Sequence, residues 1–169
     1  DTYRLALECV DKPKLAGYLA RLADRELKPV KKEPGKEQVR FLTAVTNKGI
    51  TKFTDTVKAL CPRVYLLNDD YGAVSRLLLH AIRSKALAGG YDIISCYCPL
   101  SPFEKLEQLL IPSLGLAFLT SNHFHNFEEE IDPYRIVNCQ RFSDKAQLRA
   151  SKKRMLFNRK ATAQLLGQA

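Results

Sequence analysis

The succession of apolar runs and helical patterns predicts an α/β fold of three layers, built on a mainly parallel sheet of about five strands. Short runs of consecutive apolar residues at 64–67, 91–96, 109–111 and 114–119 read as strands covered on both faces. Helical patterns at 50–60 and 73–88 alternate with them, the signature of βαβ units. The 169 residues suffice for one compact core, and 46% apolar with 27% charged side chains is ordinary for a globular chain.

Residues 1–38 read as an arm. Asp11-Lys12-Pro13 starts a helix, with proline tolerated in the first turn. Leu15, Tyr18, Leu19 and Leu22 then recur on one helical face as far as Leu27. KPVKKEPGK (28–36) is a charged Pro/Gly linker, and a domain boundary is placed after residue 38. The compact unit spans 39–142. VRFLTAV (39–45) reads as a strand and 46–49 as a turn capping a helix whose buried face is Ile50, Phe53, Val57 and Leu60. Pro62 stops that helix before the strand at 64–67. A helix over 73–88 ends at Gly89-Gly90. After the strand at 91–96 come a loop at 98–102, a short helical turn at 103–108, and the two apolar runs split by Pro112. Residues 120–132 read as a polar loop, 134–139 as a strand and 143–169 as a basic helix.

Composition narrows the function classes. No apolar run is long enough to span a bilayer and no signal-peptide pattern opens the chain, so a cytoplasmic protein without a membrane partner is expected. Five irregularly spaced cysteines suit reduced thiols better than a disulfide framework. The net charge is +9, and residues 143–169 carry seven basic side chains against one acidic. That basic helix, with Lys152-Lys153-Arg154 and Arg159-Lys160, is a candidate track for a nucleic-acid backbone or an acidic protein surface.

The segment at 64–93 holds the sharpest signal. An apolar strand, a polar turn at 68–72, a long helix, a Gly-Gly stop and a second strand follow the order of a phosphate-binding P-loop. A working loop reads G-x-x-x-x-G-K-[ST], whose lysine stabilises the outer phosphates and whose hydroxyl holds Mg²⁺. In that frame from Asp69, Val74 takes the second glycine slot, Ser75 the lysine slot and Arg76 the hydroxyl slot. Gly72, Ser75 and Arg76 form the residual phosphate loop and are the candidate cofactor-binding residues. Against phosphate stand Asp69 and Asp70, whose carboxylates either repel it or cap the helix. No catalytic and no metal-ligating residue is assigned. Cys96-x-Cys98 and His123-x-His125 lack the spacing of a zinc knuckle. Glu128-Glu129-Glu130 with Asp132 reads as a solvated acidic face.

RFLTAVTNKGITKF (40–53), VYLL (64–67), AGGYDI (88–93), CYCP (96–99) and LLIPSLGLAFLTSNHFH (109–125) carry a likeness to a known family. From Arg40 to about residue 140 the chain resembles the bacterial tandem P-loop ATPase-like proteins, in which two related halves each carry a nucleotide-binding fold. Cys98, Pro112 and His125 sit on recurring positions of that family, Gly49 falls in the turn after the first strand, and Gly72 keeps one loop glycine. Asp70, Val74, Ser75 and Arg76 replace the loop's glycines, lysine and serine, and Thr120 stands where relatives carry an Asp that helps hold Mg²⁺. The resemblance implies a P-loop NTPase-like fold with a degenerate loop. It also implies that residues 1–38 are the tail of a preceding P-loop domain, which makes this the second half.

The expected function is therefore a non-hydrolysing partner or regulatory module of an adjacent P-loop nucleotide-binding domain, with Arg76 the residue to supply in trans. No cofactor is expected; ATP is the one a residual site would take. The alternatives are a nucleotide- or phosphate-binding ATPase using Arg76 and backbone amides, and a nucleic-acid-binding accessory protein using the basic helix.

Overall fold

The hydrophobic alternation along the chain resolves into one six-stranded sheet. A computed structural model describes residues 2–47, 49–123 and 126–167, with 159, 162, 163 and 165–167 described by backbone alone. The strands are β1 (Glu37–Arg40), β4 (Arg63–Asn68), β5 (Ile93–Tyr97), β6 (Leu106–Ile111), β7 (Leu116–Ser121) and β8 (Arg135–Asn138), in spatial order β1-β5-β6-β7-β4-β8. A separate hairpin pairs β2 (Thr43–Thr46) with β3 (Gly49–Lys52). The helices are α1 (Thr2–Glu8), α2 (Lys12–Glu26), α3 (Thr54–Leu60), α4 (Ala73–Ala88) and α5 (Lys145–Gly167). Among the described residues no helix is long and apolar enough to cross a membrane.

The α/β class with a mostly parallel sheet is as predicted, with six strands in place of about five. β6 alone runs against its neighbours. Its connections explain the reversal. A parallel crossover needs a dozen or more residues, whereas the link from β5 is residues 98–105. The link to β7 is a single 3₁₀ turn, Pro112–Leu114, closed by Gly115 at φ 58°. The helical turn expected at 103–108 is therefore corrected: Leu106, Glu107 and Gln108 are strand, buried between β5 and β7.

The second correction concerns 39–60. The expected strand at 39–45 breaks into β1 and β2 around Phe41 and Leu42, and the expected helix at 50–60 starts only at Thr54. β-Branched side chains at Thr43, Val45, Thr46, Ile50 and Thr51 favour a hairpin, and Gly49 at φ 106° takes a conformation that side chains resist. Of the four residues expected to form the helix's buried face only Val57 is buried; Ile50, Phe53 and Leu60 are exposed.

Two cores flank the sheet. Tyr65 and Leu67 of β4 and Leu116 and Phe118 of β7 face α4, together with Leu15 and Leu22 of α2, Ala6 of α1 and Met155 of α5. Val64, Leu66, Ala117 and Leu119, on the alternate face, meet Val57 of α3 and Phe127 and Ile131 of the β7–β8 connection. These are the three layers. α1 and α2, from the segment read as an arm, thus pack into the core of the sheet, and residue 38 lies within β1. The predicted linker is strapped to the end of α4: Val30 N–H donates to Gly89 O, Gly35 N–H to Leu87 O, and the Tyr91 hydroxyl to Lys28 O. A Cβ on Gly35 would lie 1.8 Å from Tyr91 O, so no other residue fits there.

At the amino end of β4 a buried polar cluster docks α2. The Tyr65 hydroxyl donates to Glu26 Oε1 at 2.7 Å, Arg63 Nη1 to Oε2 at 3.1 Å, and Arg25 Nη2 to the Tyr65 oxygen at 3.0 Å. Burial pushes the Glu26 carboxyl up, but the Tyr65 hydrogen bond and the Arg63 charge outweigh it, so it stands below its ordinary 4.5. A depressed carboxyl stabilises the fold above its unfolded value and loses that contribution as pH falls through its folded one. Glu26→Gln is expected to cost about 2 kcal/mol in urea denaturation at pH 7. The gap from the wild type should narrow as pH drops below about 4.5.

Candidate functional site at the carboxyl ends of β4 and β7

A helix that starts at a strand's end leaves its first N–H groups without intrahelical acceptors. In α4 one of those groups, the Ser75 N–H, meets the Asp69 carboxylate, which also takes two N–H groups of the turn before the helix. Gly72, left-handed at φ 70°, brings the chain into the helix without a side-chain cap of its own. Asp69 Oδ1 accepts from Tyr71 N–H at 3.1 Å and Gly72 N–H at 3.0 Å, while Oδ2 accepts from Ser75 N–H at 2.7 Å. Its own N–H donates to Ser121 O at 3.0 Å, tying the loop to β7. Asp69 is 5% exposed. A carboxylate thus sits where positive peptide dipoles converge, the place an anionic ligand takes in a phosphate loop.

The two aspartates divide the roles between which the sequence could not choose. Asp69 caps. Asp70 turns outward, with Oδ1 3.4 Å from His123 Nδ1. Behind the cap lies Cys139, whose thiol is pushed well up by burial and by the nearby Asp69 charge.

The predicted site residues do come together, around a crevice of about 710 Å³. Gly72 and Ser75 line its edge, Ser75 with a buried side chain and its N–H committed to Asp69. Arg76 lies along one wall, its guanidinium carbon 4.1 Å from the centre of the Tyr3 ring. Its Nε is shielded from solvent, and among the described residues it has no hydrogen-bond partner and no carboxylate within ion-pair reach. Across the crevice stand Thr120, at the end of β7, and the Lys105–Glu107 pair at 2.8 Å. α1 contributes Tyr3 and α5 contributes Asn158.

The crevice has a topological cause. The connection from β4 enters α4 on one face of the sheet, whereas the connection from the adjacent β7 leaves on the other, through Phe127 and Ile131. Neighbouring parallel strands whose connections part in this way leave a gap at their carboxyl ends, where α/β folds bind ligands.

Other sequence candidates do not assemble into chemistry. Among the described residues no group of three His, Cys, Asp or Glu side chains could hold a metal ion; His125 lies outside them. Cys96 and Cys98 are buried, and burial pushes the Cys96 thiol up to about 12, far from a reactive thiolate. Within the acidic run, Glu128 accepts from Asn68 Nδ2 at 2.7 Å, and Glu130 pairs with Lys52 and accepts from Thr54. These two carboxylates fasten the β7–β8 connection, and Glu129 faces solvent. Tyr3 and Lys105 had no local signal as site residues, because α1 and the β5–β6 link reach the crevice only through tertiary packing.

Comparison with protein-family models, curated proteins and solved structures finds no match to this chain.

Asp69→Ala strips three amides of their acceptor and is expected to cost about 2 kcal/mol. Asp69→Asn, which keeps one acceptor oxygen, should cost less. Faster amide exchange at Tyr71, Gly72 and Ser75 in the alanine variant is the residue-level readout.

Proposed function

We propose that this chain is a degenerate P-loop ATPase-like domain that does not hydrolyse nucleotide and acts as a partner or regulatory module of an adjacent nucleotide-binding domain. The observation that carries the proposal is the Asp69 carboxylate on the N–H groups of Tyr71, Gly72 and Ser75. An incoming phosphate would have to displace a charge-assisted acceptor already in place and already neutralising the helix dipole. Ser75 in the lysine slot offers no cation for charge developing on a phosphoryl group. The exposed apolar side chains Phe41, Val45, Ile50 and Phe53, in and beside the β2–β3 hairpin, supply a surface for a neighbouring domain. Arg76, 4.1 Å from the centre of the Tyr3 ring at the crevice, is the residue this reading would have supplied in trans to the neighbour.

Titration calorimetry of the chain with ATP·Mg²⁺ to about 1 mM should give no saturable heat. A one-to-one isotherm that disappears in Arg76→Ala would instead favour the alternative, a nucleotide-binding domain with an unconventional loop, and phosphate release would then decide whether it is an ATPase.

One observation favours a second reading, a nucleic-acid-binding accessory role. α5 contains no acidic residue. Lys145, Arg149, Lys152, Lys153 and Lys160 share one exposed helical face with Leu156 and Phe157, opposite the buried Met155. If this stripe tracks a phosphate backbone, log affinity for mixed oligonucleotides should fall linearly with log salt, with a slope of about −0.7 to −0.9 per phosphate contacted. Binding absent at low salt, or insensitive to salt, rules the role out.

A further inference from the structure

The sheet ends on one side at β1, and no strand among the described residues pairs with its outer edge. The inner edge is fixed by Lys36, whose carbonyl accepts from the Ile93 N–H of β5. Backbone polar groups alternate in direction along a strand, so those of Glu37 and Val39 point outward. The Val39 carbonyl accepts from the Arg40 guanidinium at 2.9 Å, an exposed contact. Side chains alternate as well. Glu37 pairs with Arg83 of α4, which puts Val39 on the α4 face and Gln38 and Arg40 on the other. Val39 and, just past the strand's end, Phe41 are exposed. Lys31, Lys32 and Lys36 lead into the strand and Arg40 ends it; all four are exposed, and none has an ion pair among the described residues. Fewer carboxylates stand nearby: Glu33 and Asp92, with Glu37 neutralised by Arg83. Exposed cations alone would keep an idle edge from pairing, whereas exposed Val39 and Phe41 beside them invite a partner.

We propose that the outer edge of β1 takes up an extended segment of a partner protein in which acidic and apolar side chains alternate. An added strand satisfies the outward N–H and C=O groups of Glu37 and Val39, and the period of two then sorts its side chains between the faces of the sheet. On the α4 face they meet Val39, so an apolar residue belongs there. On the other face they meet Arg40, with Lys36 at the same phase of the strand, so a carboxylate belongs there. Main-chain bonds supply the binding, and the charge excess along the edge sets the sign of the partner. The inference rests on the reading of the exposed apolar surface as a docking face for a neighbouring domain, and it states what that neighbour must present. It makes no use of the 69–75 loop. ATP binding in the calorimeter would therefore sink the loop reading and leave this one standing, and failure here would leave the loop reading intact.

The test is ¹H–¹⁵N NMR of the whole chain, titrated with a capped heptapeptide of alternating Glu and Val and with its Lys/Val counterpart. The Glu/Val peptide should shift the Glu37 and Val39 amides saturably with a Kd of about 0.1–1 mM, and the Lys/Val peptide should bind at least about tenfold more weakly. Raising the salt from about 0.05 to 0.5 M should weaken the Glu/Val complex several-fold. Val39→Pro removes an outward N–H and spares the bonds to β5, so it should keep the fold and lose the peptide. Arg40→Glu, an exposed change, should narrow or reverse the preference between the two peptides. No saturation by about 5 mM Glu/Val peptide overturns the proposal. So does equal affinity for both peptides, or binding unchanged in Val39→Pro. Shifts at Glu37 and Val39 produced by phosphatidylserine vesicles, or by raising the protein concentration, in place of the peptide would assign this edge to a membrane or to a second copy and likewise overturn it.

Discussion

Three peptide N–H groups, two in the turn before α4 and one in its first turn, point at one carboxylate, and the carboxylate belongs to the chain itself. Much of the carboxyl end of the sheet around β4 and β7 depends on that contact. It fixes the course of the 69–75 loop, because Asp69 is bonded forward to α4 and its own N–H is bonded across to Ser121 of β7. It gives the Ser75 N–H of the first helical turn an acceptor and places a negative charge at the positive end of the helix dipole. A loop of this shape that relied on bound phosphate would carry uncompensated dipoles when empty. Here the compensation is covalently attached.

The sheet decides where the remaining space lies. Because β6 is trapped between two short connections, it reverses and forms a hairpin with β7. That places the end of the 98–105 link and the start of β6 beside the carboxyl ends of β4 and β7, on the same side as Arg76 and Thr120. α1 and α5 close the crevice from above, and both belong to the main core through Ala6 and Met155. Residues of α1 and of the basic α5 are thus walls of the candidate site. At the opposite end of the sheet, Glu26 with Tyr65 and Arg63 locks α2 onto β4, so the two ends carry separate polar clusters with separate tasks.

What was legible in the sequence was local. Asp11 with Pro13 marked the start of α2, and the Asp11 side chain does accept from Lys14 N–H. The two glycine signals at 72 and 89–90 bounded α4 at Ala73–Ala88, with Gly72 and Gly90 both at positive φ. The strands at β4, β5 and β7 announced themselves by apolar runs. Misreadings came where a pattern had two meanings. Ile50, Phe53, Val57 and Leu60 mimic a helical face, yet three of the four are exposed. Glu107 and Gln108 disguise a central strand, since polar side chains seldom sit at buried positions. The stacking of Tyr3 on Arg76 joins residues 73 apart in sequence and had no local trace. Nor could spacing say which of Asp69 and Asp70 would turn inward.

The most direct measurement follows the amide resonances of Gly72 and Ser75 in ¹H–¹⁵N spectra while inorganic phosphate and then ATP·Mg²⁺ are added to the wild-type chain. With Asp69 in place those two resonances should stay where they are, because their N–H groups already have a charged acceptor. Saturable movement of both, with a common dissociation constant, would mean that the carboxylate yields to phosphate and that the loop still binds it.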